Sequence, residues 1–237
     1  SSQNIMTDSS KSGEESSSNS NGSKMGGTDS SSSSNSKQGS GSTGDSSTST
    51  EKYQIQNNAV LLRNTSDIDW NELQNQAENL YKSWTTITLD LNTMNVTSEN
   101  ILAYNTNLDN LMVSLKEKNK VNSAICLANM YSLIPKYTNE ISSDTAKSKL
   151  ETVKSNIIFA YSIVETDRWD DVLKLLGQAE TDLTELMTMK ENLSTMRKTK
   201  INKAYVLLKE LIKSSNDKNV DIFYLKYINL IEELDNL

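Results

Sequence analysis

Apolar residues return every three or four positions from Asp69 to the end of the chain, the spacing that gathers them on one face of a helix. The first stripe is Trp70, Leu73, Ala77, Leu80, Trp84, Ile87 and Leu91. Asp69 stands at its N-cap, Glu72 at the third helical position, and Ile68 with Leu73 forms a hydrophobic staple. A second stripe after Thr97 uses Ile101, Tyr104, Leu108, Leu111 and Leu115. A third shows Val121, Ala124, Ala128 and Tyr131 before Pro135. A fourth, opened by Ser143 or Asp144, runs through Ala146, Leu150, Val153, Ile157, Ala160 and Val164.

The remaining stripes repeat the first three. A fifth helix, starting at Thr166 or Asp167, carries Trp169, Val172, Leu176, Ala179, Leu183 and Leu186, which is the first seam displaced by 99 residues. Ile201, Ala204, Leu208 and Leu211 follow the second seam at a displacement of 100. Tyr224, Ile228, Ile231 and Leu234 follow the third, and Asn119 and Asn219 fall in matching turns. The expected fold class is all-α: an elongated helical bundle or two-layer array of about seven helices built from a duplicated three-helix unit. The units span residues 67–142 and 166–237 and are joined by a connecting helix at 143–165. Residues 51–66, with the short apolar run Ala59 to Leu62, read as an extended strap or a short helix.

Residues 1–50 break the pattern. Seven of the eight glycines lie at or before Gly44, in a Ser/Gly/Asn tract with almost no large apolar side chains. Such a segment has nothing to bury against its ordering entropy and is expected to be a disordered tether, with an r.m.s. reach of about 40 Å. A chain that opens at Ser1 is expected to be a processed form. This Ser/Asn-rich leader without an initiating Met, followed by a Lys/Asn/Ile-rich helical domain, resembles the mature part of a clostridial-type bacterial surface lipoprotein. The Asp69-Trp70 and Arg168-Trp169 helix starts and the stretch Leu127 to Pro135 are similar to helical lipoproteins of uncharacterised function. The resemblance implies a lipid anchor preceding Ser1, hence a location on the extracellular face of a bacterial membrane, and it carries no activity.

The chemistry-bearing residues narrow the function classes. There is no histidine, which removes the commonest general base and transition-metal ligand. The single cysteine, Cys126, lies between Ile125 and Leu127 and reads as a core thiol. No glycine-rich phosphate loop and no acidic calcium loop occurs in the helical part. Asp170 and Asp171 suit a helix first turn, while Glu180, Asp182 and Glu185 read as a solvated face. The chain is therefore expected to be non-enzymatic, without catalytic or metal residues and without a cofactor.

A net charge of −7 argues against nucleic acid, and Arg197, Lys198, Lys200, Lys203, Lys209 and Lys213 read as an ordinary helix face. The three tryptophans sit in seams, whereas Tyr81, Tyr137, Tyr161 and Tyr205 lie off them. The one local rule broken is Pro135, expected to kink or end the third helix. Carbonyls freed there make Tyr131 and Tyr137 the candidate binding residues.

These features point to a surface-tethered helical binding or interaction module, monomeric, meeting a protein or small ligand at the cell surface. The alternatives are a structural protein that self-assembles through its heptad faces and a carrier holding an apolar small molecule among its helices. Brief protease treatment is expected to remove residues 1–50 and leave a resistant fragment from about residue 51, read by mass spectrometry; a protease-resistant leader would contradict the tether.

Overall fold

The computed structural model describes residues 64–189 and 194–237, so the leader and all of the strap before Asn64 lie outside the described residues. Eight α-helices occur among them: α1 (Trp70–Thr93), α2 (Ser98–Lys116), α3 (Lys120–Tyr131), α4 (Ile134–Ile141), α5 (Thr145–Ile163), α6 (Trp169–Thr188), α7 (Thr195–Asn216) and α8 (Val220–Asp235). No strand accompanies them, and none of these helices is long and apolar enough to cross a membrane. The all-α expectation holds. The stretch in which Pro135 was expected to kink or end the third helix forms two helices, α3 and α4, separated by Ser132 and Leu133, which accounts for the eighth. Of residues 51–66, the described part forms a 3-10 turn at Thr65–Asp67, whose Thr65 carbonyl accepts the Trp70 indole N–H at 3.0 Å.

Short connections make sequential helices neighbours. α1 packs on α2 and α2 on α3; α6 packs on α7 and α7 on α8. Between these hairpins, α5 lies against α3 and α4 on one side and against α6 and α8 on the other, with its most extensive pairing on α6. Two apolar cores result. The first gathers Trp70, Trp84, Leu108, Leu111, Leu133 and Tyr137 with their neighbours; the second gathers α5 together with α6, α7 and α8. The helix expected to be a connector is thus a full member of the second core, with Val153, Ile157 and Ala160 wholly buried.

The duplication is visible in backbone detail. At the end of α2, the Asn119 amide donates to the Ser114 carbonyl at 2.9 Å and the Lys118 amide to the Leu115 carbonyl at 3.1 Å. At the end of α7, Asn219 and Lys218 make the same bonds to Ser214 and Ser215 at 3.2 and 3.1 Å. This is the paired closure that ends a helix on a left-handed residue, and Lys118 and Lys218 have φ of 54° and 51°. Each asparagine then caps the next helix, Oδ1 accepting from the Asn122 or Ile222 amide at 3.0 Å. One residue closes one helix and opens the next in both hairpins.

Other caps follow the sequence. Asp69 accepts from Glu72 at 3.0 Å, and Asp144 from Lys147 at 2.8 Å. α6 differs: its N-cap is Arg168, because Asp167 takes a left-handed conformation at φ 57° and closes the preceding turn. The expected seams of the third and last helices are also rotated. α8 buries Phe223, Tyr224, Tyr227, Leu230 and Leu234 while Ile228 and Ile231 are half-buried, and α3 buries Ser123, Ala128 and Met130. Both helices meet more than one neighbour, so the covered face is wider than a two-stranded seam.

The two asparagine hinges should carry equal weight. Asn119→Ala and Asn219→Ala are each expected to cost about 1 kcal/mol, nearly additively in the double variant, measured by urea denaturation.

Candidate functional site

A half-open cavity of 370 Å³ is lined by residues of both three-helix units. Trp70, Leu73, Ala77 and Leu80 of α1 form one wall, Leu111 and Leu115 of α2 the floor, and Ser123, Ala124 and Leu127 of α3 the second wall. Ile158 and Tyr161 of α5 and Tyr227 of α8 reach it from the second unit, and Ile68 lies where the chain enters α1. The lining is apolar apart from a few groups, chiefly Gln76, Lys120, Ser123 and the tyrosine hydroxyls.

Comparison of the two copies explains why the recess exists. At a displacement of 100, Ser123, Ala124 and Leu127 correspond to Phe223, Tyr224 and Tyr227. In the second unit those three rings are buried and pack on one another and on Tyr161, with Tyr161 and Tyr227 stacked at 4.6 Å. The first unit has small or aliphatic side chains at the same positions, and close packing is lost there. Ser123 is held in place, its hydroxyl 3.0 Å from that of Ser114 and donating to the Asn119 carbonyl at 2.7 Å. The first unit carries its own rings deeper: Trp84 stacks on Tyr104 at 3.8 Å and lies 6.4 Å from Tyr137.

Lys120 marks one end of the recess. Its ammonium donates to Glu165 at 2.8 Å, lies 3.3 Å from the Tyr224 hydroxyl and sits 5.1 Å from that ring's centre. Tyr224 in turn donates a very short hydrogen bond to Glu165. This links α3 to α8 through the turn that follows α5. Burial raises the Tyr161 and Tyr227 hydroxyls far above the usual phenol range, so both stay protonated donors.

The residues singled out from the sequence sit elsewhere. Tyr131 donates to Glu151 of α5 at 2.6 Å, whereas Tyr137 donates to the Asn100 carbonyl of α2 at 2.9 Å and lies in the first core. They engage different elements, and neither they nor Pro135 line the recess. Pro135 falls in the first turn of α4, where its missing N–H costs nothing, and its carbonyl accepts from Ser148 at 3.3 Å. The break has a separate effect: it aims α4 so that Glu140 caps α2. Thr97, the N-cap of α2, makes no side-chain bond to its own helix. Instead Glu140 accepts from the Thr97 amide at 2.7 Å, the Thr97 hydroxyl at 2.8 Å and Asn100 Nδ2 at 2.6 Å.

Among the described residues no three His, Cys, Asp or Glu side chains converge on a possible metal position. Cys126 is partly buried, and burial pushes its thiol up. Two of the basic side chains of α7 are in ion pairs, Lys209 with Glu180 at 2.9 Å and Lys203 with Glu233 at 2.5 Å. Asp182 departs from the expected solvated face: it is 7 % exposed, with Lys149 of α5 at 3.4 Å. The three tryptophans are buried as expected; of the off-seam tyrosines Tyr81 alone is strongly exposed, at 47 %.

Comparison with protein-family models, with curated proteins and with solved structures finds no match to this chain. The site is therefore read from its own geometry.

The Glu140 cap has a pH signature. Hydrogen bonds, first that from the Thr97 amide, hold its carboxyl below the usual carboxylate range. A depressed carboxylate contributes stability above its unfolded pKa and loses it as pH falls through the folded one. The melting temperature of Glu140→Gln should lie below that of the parent at neutral pH, and the gap should close with acidification below about pH 4.

Proposed function

We propose that this chain is a non-enzymatic helical binding module whose site is the recess between its two three-helix units, and that it takes apolar side chains presented by a helical segment of a partner. One observation carries the reading: the two copies of the unit differ where the recess lies, with Phe223, Tyr224 and Tyr227 filling the second copy and Ser123, Ala124 and Leu127 leaving the first hollow. An apolar trough with a few polar groups at fixed positions is the usual form of a recognition site, and a groove between helices suits an amphipathic helix. The surface location belongs to the same proposal, with residues 1–50 as the tether to a lipid anchor on the outer face of a bacterial membrane; it is supported by the polar leader and the resemblance to surface lipoproteins. The volume also admits an apolar small molecule such as a short acyl chain, which keeps the carrier reading as a second possibility at the same site.

Filling the recess tests both. The anionic aromatic dye 1-anilinonaphthalene-8-sulfonate, which fluoresces in apolar surroundings, should bind the full chain saturably, and Ala124→Phe, which restores a ring where the second unit has one, should weaken binding by about tenfold or more while melting stays cooperative. Dye binding unaffected by Ala124→Phe and by Leu127→Tyr would sink the site. A thermal-shift comparison of amphipathic helical peptides with fatty acids separates the two occupants, since each raises the melting point only if it binds the folded state.

A further inference from the structure

The second unit shows what kind of helix this flank accepts. There α5 lies along α6 and reaches α8, and the α6 side chains Val172, Ala179 and Leu186 are 0 %, 0 % and 1 % exposed. Their counterparts on α1, displaced by 99 residues, are Leu73, Leu80 and Ile87. Leu73 and Leu80 are half-buried and line the recess, and Ile87 is 40 % exposed. Among the described helices only α2 pairs extensively with α1. The two seats also differ in charge. Three carboxylates set the register of α5: Asp182 and Glu185 of α6 take Lys149 at 3.4 and 2.5 Å, and Asp235 of α8 takes Lys154 at 2.8 Å. At the same displacements the first unit has Ser83, Thr86 and Pro135.

A lysine brought to those three positions meets no carboxylate there and gives up hydration without an ion pair in return. We propose that the partner of the recess is a helix that lies on α1 as α5 lies on α6, apolar along the side that meets Leu73, Leu80 and Ile87 and uncharged where α5 carries Lys149 and Lys154. The inference rests on the recess being the binding site and adds the charge pattern of its partner. Apolar burial holds such a helix, and ion pairs contribute nothing to its affinity. The same difference makes the first seat refuse α5, whose lysines need the carboxylates of the second unit, and so keeps each helix to its own seat.

Two synthetic peptides test this on the full chain, by fluorescence anisotropy. One is the α5 sequence, residues 143–165; the other carries Lys149→Gln and Lys154→Gln, changes that leave helix propensity nearly unaltered. The neutral peptide should bind about tenfold or more tightly than the α5 peptide, and its Kd should rise less than about threefold between about 0.05 and 0.5 M NaCl. Ala124→Phe should abolish its binding. Ser83→Asp with Thr86→Glu, at two exposed positions, restores two of the three carboxylates and should reverse the order of the peptides. Equal binding of the two peptides, a tighter α5 peptide, or a Kd that rises more than about threefold with salt would overturn the proposal. So would an order that Ser83→Asp with Thr86→Glu leaves unchanged. Dye binding that Ala124→Phe removes, with neither peptide bound, would uphold the recess as a site and overturn the neutral helix as its partner. Binding of neither dye nor peptide would sink the site and this proposal with it.

Discussion

Everything in this molecule depends on α5 being covered on both sides. A helix whose buried side chains include Val153, Ile157 and Ala160 has no stable place except between partners, and it finds them in α3 and α4 of the first unit and α6 and α8 of the second. Polar links fix its position along each neighbour. Lys149 pairs with Glu185 at 2.5 Å, Lys154 with Asp235 at 2.8 Å, and Glu151 accepts the Tyr131 hydroxyl at 2.6 Å. Apolar burial supplies the drive, and these directional contacts select one register among the many that burial alone would allow.

From that arrangement follows the asymmetry between the copies. A three-helix unit closes its inner seam by itself but leaves the outer flank of its first helix apolar, and α5 covers that flank for α6. The first unit compensates partly by moving its aromatic mass inward. Trp84, Tyr104 and Tyr137 fill a region for which the second unit uses Leu183 and Ala204 at the first two positions. The rings that α8 contributes have no equivalents on α3, and the resulting volume is the recess. Hollow space in an otherwise close-packed array forgoes dispersion contacts, so it is a stability cost that an occupant would recover.

The loops show how a duplicated scaffold can diverge without losing its geometry. The Lys-Asn pairs at 118–119 and 218–219 make the same closure and cap although most side chains around them differ. Pro135 is a feature of the first unit alone. It ends one helix and seats the next, and the redirected chain brings Glu140 to the start of α2, a cap supplied from 43 residues away.

Much of this was legible in the sequence because it is local. Helix periodicity, the Asp69 cap and a helix opening at Ser143 or Asp144 depend on residues a few positions apart, and the structure carries them, with Asp144 as the cap; Asn119 and Asn219, read only as matching turns, prove to be caps as well. Where several helices compete for one face, local pattern was not enough: the buried faces of α3 and α8 turned away from their expected seams, and Asp182 went inside. The Glu140 cap and the recess were beyond the reach of pattern altogether. The substitution of Phe223, Tyr224 and Tyr227 by Ser123, Ala124 and Leu127 is written in the chain, but whether three small side chains make a hollow depends on what lies opposite them. The sequence by itself determined which residues could share a helix face and where each helix could start. Only the tertiary structure decided which faces were covered, because periodicity is a property of one backbone segment and coverage is a property of its neighbours.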